Sequence, residues 1–115
     1  MKLREIIEIL DADLLSGDNL EMEILSACGS DLMSDVMAYV KENVLLMTGL
    51  VSPQVIRTAE MMDINVVVFV RGKIPGENIL DLAAEKGIAV MTTCNSMFIA
   101  CGKLYEAGLT GKGVW

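Results

Sequence analysis

Three short apolar segments recur at even spacing in the last two thirds of the 115-residue chain. They cover Val44–Thr48, Val66–Val70 and Ile88–Thr92, and each begins 22 residues after the one before it. Each segment is continuously apolar, whereas a strand with one face in water alternates between apolar and polar residues. Continuous apolar strands are typical of parallel sheets that are covered on both faces. The repeat therefore favours a parallel sheet over a set of hairpins.

A segment with helical spacing follows each apolar segment. Helices are predicted over 53–62, 77–86 and 96–107, because apolar residues in these ranges return every three or four positions. The side chains expected on their buried faces are Val55, Ile56, Ala59, Met62, Leu80, Ala83, Ala84, Met97, Ala100, Cys101 and Leu104. Gly87 and Gly108 stand where two of these helices should end, since glycine accepts the left-handed terminal conformation. The pattern predicts a small three-layer α/β domain with a mainly parallel sheet, built from β-α units of about 22 residues.

The first 43 residues depart from this repeat. Apolar stripes predict helices over Leu3–Leu10 and Asp31–Val40. The residues expected to face inward from the second helix are Leu32, Val36, Tyr39 and Val40. Strands are expected over Ala12–Leu15 and Met22–Ala27, on either side of a turn at Gly17–Asn19, and should extend or flank the parallel sheet.

One domain is expected over residues 1–115, because a chain of this length is about one ordinary domain. Its expected parts are an acidic amino-terminal portion at 1–43, three β-α units at 44–108 and a glycine-rich tail at 109–115 that ends in Trp115.

The amino-acid composition excludes several classes of function and indicates few. The net charge is -7 and histidine is absent. A nucleic-acid binder needs a basic face, so nucleic acid is not an expected partner. Without histidine the chain cannot supply Ser-His-Asp or Cys-His catalysis or a histidine metal ligand, and no metal or cofactor is expected.

The acidic charge is concentrated in residues 1–43, which hold three basic and ten acidic side chains, while residues 44–115 hold six of each. Two interpretations remain open for this acidic portion. It is a solvated face that keeps the protein soluble, or a docking face for a basic protein partner.

The chain is expected to be cytoplasmic, since it begins with mixed charged and aliphatic residues and its apolar segments are too short to cross a bilayer. Cys28, Cys94 and Cys101 form no Cys-x-x-Cys pair, so free thiols are expected instead of a zinc or redox motif. Small core residues are the first interpretation of these cysteines. A reactive role for Cys94, which precedes a predicted helix, is the alternative.

Three loops should meet at the carboxyl edge of the predicted sheet, where open α/β sheets bind ligands. Each loop leads to a helix start, whose free N–H groups suit phosphate or carboxylate. Arg71 and Lys73 are the expected cations of this edge. The predicted ligand-binding residues are Thr48, Gly49, Ser52, Arg71, Gly72, Lys73, Thr93, Asn95 and Ser96, with the Thr92 hydroxyl close by. The alternative is that these residues only cap helices and form turns, as they do in many α/β proteins.

Asp31 and Asp35 lie one helical turn apart in the predicted second helix. A shared metal or proton is one interpretation of this pair. A solvated helix face is the other, with Asp31 capping its helix.

Four stretches of the chain resemble the DRTGG domain family. They are Cys28–Val36, Leu46–Leu50, Val68–Pro75 and Gly87–Thr93. The chain departs from the name-giving residues of that family, with Leu50-Val51 after Thr48-Gly49 and Val70-Arg71-Gly72 after the second apolar segment. Only Gly49 and Gly72 carry over, as residues of tight turns.

The resemblance implies a small α/β fold similar to the amino-terminal domains of HPr kinase/phosphorylase and MurF, pairing as homodimers, with a regulatory role. The expected function is a regulatory or ligand-sensing module that binds a nucleotide or phosphorylated metabolite at the carboxyl edge of its sheet. The alternative is a protein–protein interaction subunit without a small ligand, which the resemblance links to anaerobic redox or hydrogenase systems. A phosphotransfer enzyme is a third hypothesis that depends on the architecture of the relatives alone, and no enzyme activity is expected.

Overall fold

A computed structural model describes residues 1–40 and 43–111. This part of the chain contains five helices and five strands, which alternate from β2 onward. They are α1 (Leu3–Leu10), β1 (Asp13–Ser16), β2 (Ser26–Gly29), α2 (Met33–Tyr39), β3 (Val44–Thr48), α3 (Pro53–Met61), β4 (Val66–Phe69), α4 (Glu77–Glu85), β5 (Ala89–Thr92) and α5 (Met97–Glu106). The predicted α/β class is confirmed.

The strands form one sheet in the order β1-β5-β4-β3-β2. Strands β2, β3, β4 and β5 are parallel neighbours, so the three evenly spaced apolar segments lie side by side and point the same way. Every residue of β3, β4 and β5 is buried, which is the reason these strands are apolar on both faces.

Strand β1 alone runs antiparallel, and it pairs with β5 at the opposite edge from β2. Helix α1 ends beside the carboxyl end of β5. The Leu10 carbonyl at the end of this helix accepts a hydrogen bond from the Thr93 hydroxyl. Asp11 turns the chain with a left-handed φ of 49°, and β1 then starts from that edge. The next residues return along the start of α1, where the Arg4 and Leu3 N–H groups donate to Leu20 and Met22 carbonyls.

Helices cover both faces of the sheet. Helices α2, α3 and α4 pack on one face, around Leu46, Val67 and Phe69. Helices α1 and α5 pack on the other face, around Leu45, Met47 and Val68. Alternate residues of each parallel strand therefore enter different cores, and the predicted three layers are present.

Local expectations for the second strand, for α2 and for α4 differ from the structure. The second strand begins at Ser26 and not at Met22, and helix α2 begins at Met33, two residues after Asp31. Leu32, expected to face inward, is 56% exposed, and the buried residue of that turn is Met33. Ala84 is exposed, while Ile79 fills the core beneath α4.

The remaining predicted core positions on α3 and α5 are buried or half-buried, and Gly87 and Gly108 have left-handed φ values as expected. The start of the predicted tail is packed, since Leu109 is buried and the Thr110 carbonyl accepts from the Ala27 N–H. The side chain of Tyr39 and the residue Trp115 lie outside the described residues. Within the two described ranges, no helix is long and apolar enough to cross a membrane.

Candidate functional site

The three predicted loops, 48–52, 71–76 and 93–96, meet at the carboxyl ends of β3, β4 and β5. We call these loops, with the side chains of Asp31 and Lys103 that contact them, the carboxyl rim. The Arg71 and Gly72 N–H groups donate to the carbonyls of Asn95 and Thr93, at 2.9 and 2.8 Å. Lys73 Nζ donates to the Gly49 carbonyl at 2.6 Å. The middle loop is therefore hydrogen-bonded to both of its neighbours.

Arg71 stands on a tight turn. Arg71 and Gly72 both have positive φ values, 62° and 68°, and the Lys73 N–H donates to the Val70 carbonyl at 3.3 Å. Two consecutive left-handed residues are the mark of a type I′ turn. Among the described residues the Arg71 guanidinium makes neither a hydrogen bond nor an ion pair, so its charge faces solvent at the rim.

Asp31 reaches the rim from the loop between β2 and α2. Its Oδ1 accepts from the Gly49 N–H at 2.6 Å and from the Thr48 hydroxyl at 3.2 Å. It does not cap α2, whose N-cap is Leu32. The donors at the end of β3 are thus held by a carboxylate of the same chain.

The other rim hydroxyls also have partners within the protein. Thr92 donates to the Lys73 carbonyl, and Thr93 donates to the Leu10 carbonyl, both at 2.7 Å. Ser52 accepts from the Gln54 N–H and Ser96 from the Ile99 N–H, so these serines cap α3 and α5. These contacts hold the loops in place, and they are the structural role that the sequence left open as the alternative.

Asn95 fixes the junction between α1, β5 and α5. Its Nδ2 donates to the Leu10 carbonyl and to the Thr93 hydroxyl, each at 2.9 Å. Its Oδ1 accepts from Lys103 Nζ at 3.2 Å. Helical side chains lean toward the amino end of their helix, which brings Lys103 back to the rim. Lys103 is therefore a third rim cation, which the sequence analysis missed.

The cysteines divide into two kinds. Burial raises the pKa of Cys28 and of Cys101, and the neighbouring Cys101 and Asp35 raise the pKa of Cys28 further. Cys94 is exposed on the rim, contrary to the expectation that all three cysteines fill the core. All three are free thiols, as predicted.

Five surface cavities of the described residues have linings that contain none of the predicted ligand-binding residues. One of them, of about 400 Å³, lies at the opposite end of the sheet beside Gly17 and Ala89. In the described ranges no three Cys, Asp or Glu side chains are grouped closely enough to hold a metal ion. The arrangement can offer three ammonium or guanidinium groups to an anion that lies on the surface.

Asp31 was missed as a rim residue because the second strand was predicted too early. A strand over Met22–Ala27 leaves Asp31 inside the next helix, paired with Asp35. Once β2 ends at Gly29, the rule that places ligands at the carboxyl ends of parallel strands also places Asp31 at the rim.

The comparisons with known proteins identify the fold. The chain is similar to a crystal structure of the CBS and DRTGG domains of the regulatory region of Clostridium perfringens pyrophosphatase, complexed with the activator diadenosine tetraphosphate. The two agree with a TM-score of 0.76 at 18% sequence identity, over 90% of this chain and 45% of that chain. This chain therefore spans less than half the length of that neighbour. No family model and no curated protein matches the sequence. The resemblance predicted from the sequence is confirmed at the level of the fold, since the chain has a fold similar to part of that regulatory region, which contains a DRTGG domain.

Proposed function

We propose that this chain is a regulatory module that binds an anionic small molecule, a nucleotide or phosphorylated metabolite, across its carboxyl rim. The observation that carries the proposal is the convergence of Arg71, Lys73 and Lys103 on three hydrogen-bonded loops at the end of a parallel sheet. Ligands of open α/β sheets bind at that end. The similar fold of a regulatory region that is complexed with a nucleotide activator supports the same class of ligand.

The proposed contacts divide the predicted residues into two groups. Arg71, Lys73 and Lys103 supply charge to the ligand, because a solvent-facing guanidinium or ammonium forms strong bonds to phosphate. The residues Thr48, Gly49, Ser52, Gly72, Thr93, Asn95 and Ser96 hold the loops that carry these cations. The ligand would lie against these three side chains, which are all exposed at the surface.

We propose a regulatory and not a catalytic role. The Thr48 hydroxyl is the rim hydroxyl bonded to a carboxylate, and Thr48 is fully buried. A substrate could not reach it without a rearrangement of β3. The other rim hydroxyls bond to backbone groups and not to a general base.

Calorimetry with a panel of nucleotides and phosphorylated metabolites tests the proposed ligand. Arg71→Ala should weaken binding of the tightest ligand about tenfold, since a charge-assisted hydrogen bond is worth about 1.5 kcal/mol or more. Arg57→Ala is the matched control, because Arg57 is exposed on α3 and carries the same charge outside the rim. Equal affinities for wild type and Arg71→Ala would rule out the rim as the site.

We also propose that the module works as a homodimer, joined through α5 and the neighbouring edge of β2. Phe98 and Tyr105 lie seven positions apart on α5 and are 83% and 71% exposed. Helix α5 packs beside β2, since a Cβ on Gly29 would approach Cys101 Sγ to 2.8 Å. Strand β2 is an uncharged edge strand, although its Ala27 N–H already bonds to the Thr110 carbonyl, whereas β1 at the other edge has Asp13 and an irregular register between Leu14 and Ser16. Edges without charges or bulges favour association.

A second candidate function uses the same α5 surface to bind a different protein instead of a second copy of the chain. If Phe98 and Tyr105 bind another protein, the chain is an interaction subunit, as the alternative from the sequence holds. The exposure of these two aromatic side chains is the observation that favours it, because exposed apolar patches mark interaction sites. The mass of the purified protein distinguishes a second copy from a foreign partner.

A further inference from the structure

We propose that Asp31 is a built-in competitor for the ligand of the carboxyl rim, so that the anion binds by displacing the Asp31 carboxylate from the end of β3. This inference rests on the proposed anion site and adds the regulation of that site. It assigns a role to a side chain that neither the repeat nor the fold comparison identifies.

The first step is the contact of the Asp31 carboxylate. Its Oδ1 lies 2.6 Å from the Gly49 nitrogen and 3.2 Å from the Thr48 hydroxyl oxygen. A backbone N–H and a hydroxyl that converge on one anionic oxygen form the same kind of contact as a protein makes with a bound phosphate oxygen. Asp31 and its hydrogen bond with the Gly49 N–H are exposed, so solvent and ligands have access to that N–H, while the Thr48 hydroxyl stays buried.

The second step is the position of Lys73. A Cβ built on Gly49 would lie 3.4 Å from Asp31 Oδ1 and 3.6 Å from Lys73 Nζ, so the carboxylate and the ammonium flank the same residue. They nevertheless form no ion pair, because Lys73 Nζ donates instead to the Gly49 carbonyl at 2.6 Å. The hydrogen bond from the Gly49 N–H thus holds the Asp31 carboxylate in place without an ion pair to the nearby Lys73 ammonium.

The third step compares the two anions. A phosphate or pyrophosphate group carries several oxygens and can contact the Gly49 N–H and the Lys73 ammonium together, which Asp31 does not do. Such a ligand would also meet the repulsion of the Asp31 charge if the carboxylate stayed in place. Binding therefore favours the state in which Asp31 has left the strand end.

The fourth step is the consequence for α2. Asp31 lies directly before Leu32, the N-cap of α2, and the Leu32 N–H donates to the Ser30 hydroxyl. Displacing Asp31 frees the loop that precedes α2, on which Leu32 is 56% exposed. The rim would thus be coupled to the start of α2, which is the kind of linkage that a regulatory module requires.

The test measures pyrophosphate binding by calorimetry at fixed ionic strength in wild type, Asp31→Asn, Asp31→Ala and Asp35→Asn. Both Asp31 variants should bind pyrophosphate about tenfold more tightly than wild type, with Asp31→Ala the tighter because it also vacates the Gly49 N–H. Asp35→Asn makes the same charge change on α2 and leaves the Gly49 contact intact, so its affinity should equal that of wild type. Equal or weaker binding by both Asp31 variants would overturn the proposal and assign Asp31 a purely structural role.

A nuclear magnetic resonance titration of the unmodified protein provides the second measurement. Pyrophosphate should shift the amide resonances of Gly49 and of Leu32 at the same concentration. Displacement of Asp31 removes its hydrogen bond with Gly49 and frees the loop that contains Leu32 in the same step. A shift of Gly49 with Leu32 unmoved would contradict displacement even if the Asp31 variants fail to fold.

Arg71-dependent binding with unchanged affinity in the Asp31 variants would reject this inference and leave the proposed function intact. No pyrophosphate binding by wild type or by either Asp31 variant would reject the inference. Failure of the whole metabolite panel would reject the proposed function as well.

Discussion

At the scale of single residues, the turn that presents Arg71 depends on Gly72. Its φ of 68° belongs to the left-handed region, where a side chain costs about 1–2 kcal/mol. Gly72→Ala should therefore lower the free energy of unfolding by about 1–2 kcal/mol in urea denaturation. Gly102→Ala is the control, because Gly102 lies in α5 with open space around it and without a positive φ. That variant should gain about 0.5–1 kcal/mol, and a loss equal to that of Gly72→Ala would contradict the assigned turn.

The cysteines make a second prediction at this scale, one of pH dependence. Burial raises the pKa of Cys28 and Cys101 in the folded protein, so the thiol form stabilises folding. This contribution is present below the unfolded thiol pKa of about 8.5 and is lost as the pH rises through the higher folded values. Urea unfolding at pH 7 and pH 10 should show a smaller fall in the Cys28→Ala, Cys101→Ala double variant than in wild type. An equal fall would mean that neither thiol is perturbed.

At the scale of helices and strands, Thr93 ties α1 to the sheet. Its hydroxyl is buried, donates to the Leu10 carbonyl and accepts from the Asn95 side chain. Thr93→Val keeps the shape but removes the shared hydroxyl, and should cost about 1–3 kcal/mol because buried polar groups lose a partner. Hydrogen exchange should quicken at the end of α1 and leave α3 unchanged. An unaltered unfolding midpoint would mean that Asn95 alone suffices to hold the junction.

The elements that the sequence predicted well are those whose burial is uniform. Helix α1 has the predicted bounds, and β3, β4 and β5 lie within the predicted segments. Strands that are covered on both faces are continuously apolar in sequence, so their positions are easy to predict. Strand β2 is an edge strand whose burial varies along its length. The apolar residues Met22 and Ile24 therefore led to a predicted strand that begins four residues before the observed one. That shift concealed Asp31 from the rim. Lys103 was missed because its place depends on a long side chain reaching back along α5, which no spacing rule encodes.

At the scale of the whole molecule, the proposed homodimer predicts a mass. Light scattering at micromolar concentration should give twice the mass of one chain, and Phe98→Glu should return it to one because the charge would be buried in the interface. Met61→Glu is the matched control, since Met61 is 68% exposed on α3, a helix on the opposite face of the sheet. A wild-type mass of a single chain would contradict the homodimer and favour a foreign partner for the α5 surface.

Amide chemical shifts test most directly where the molecule binds its ligand. Uniformly labelled protein would be titrated with the tightest ligand of the metabolite panel, and each perturbed amide assigned to its residue. The perturbed amides should cluster at Gly49, Gly72 and Asn95, on the three loops of the carboxyl rim. Shifts confined to Gly17 and Ala89, beside the cleft at the opposite end of the sheet, would contradict the proposed site, and so would a panel in which nothing binds.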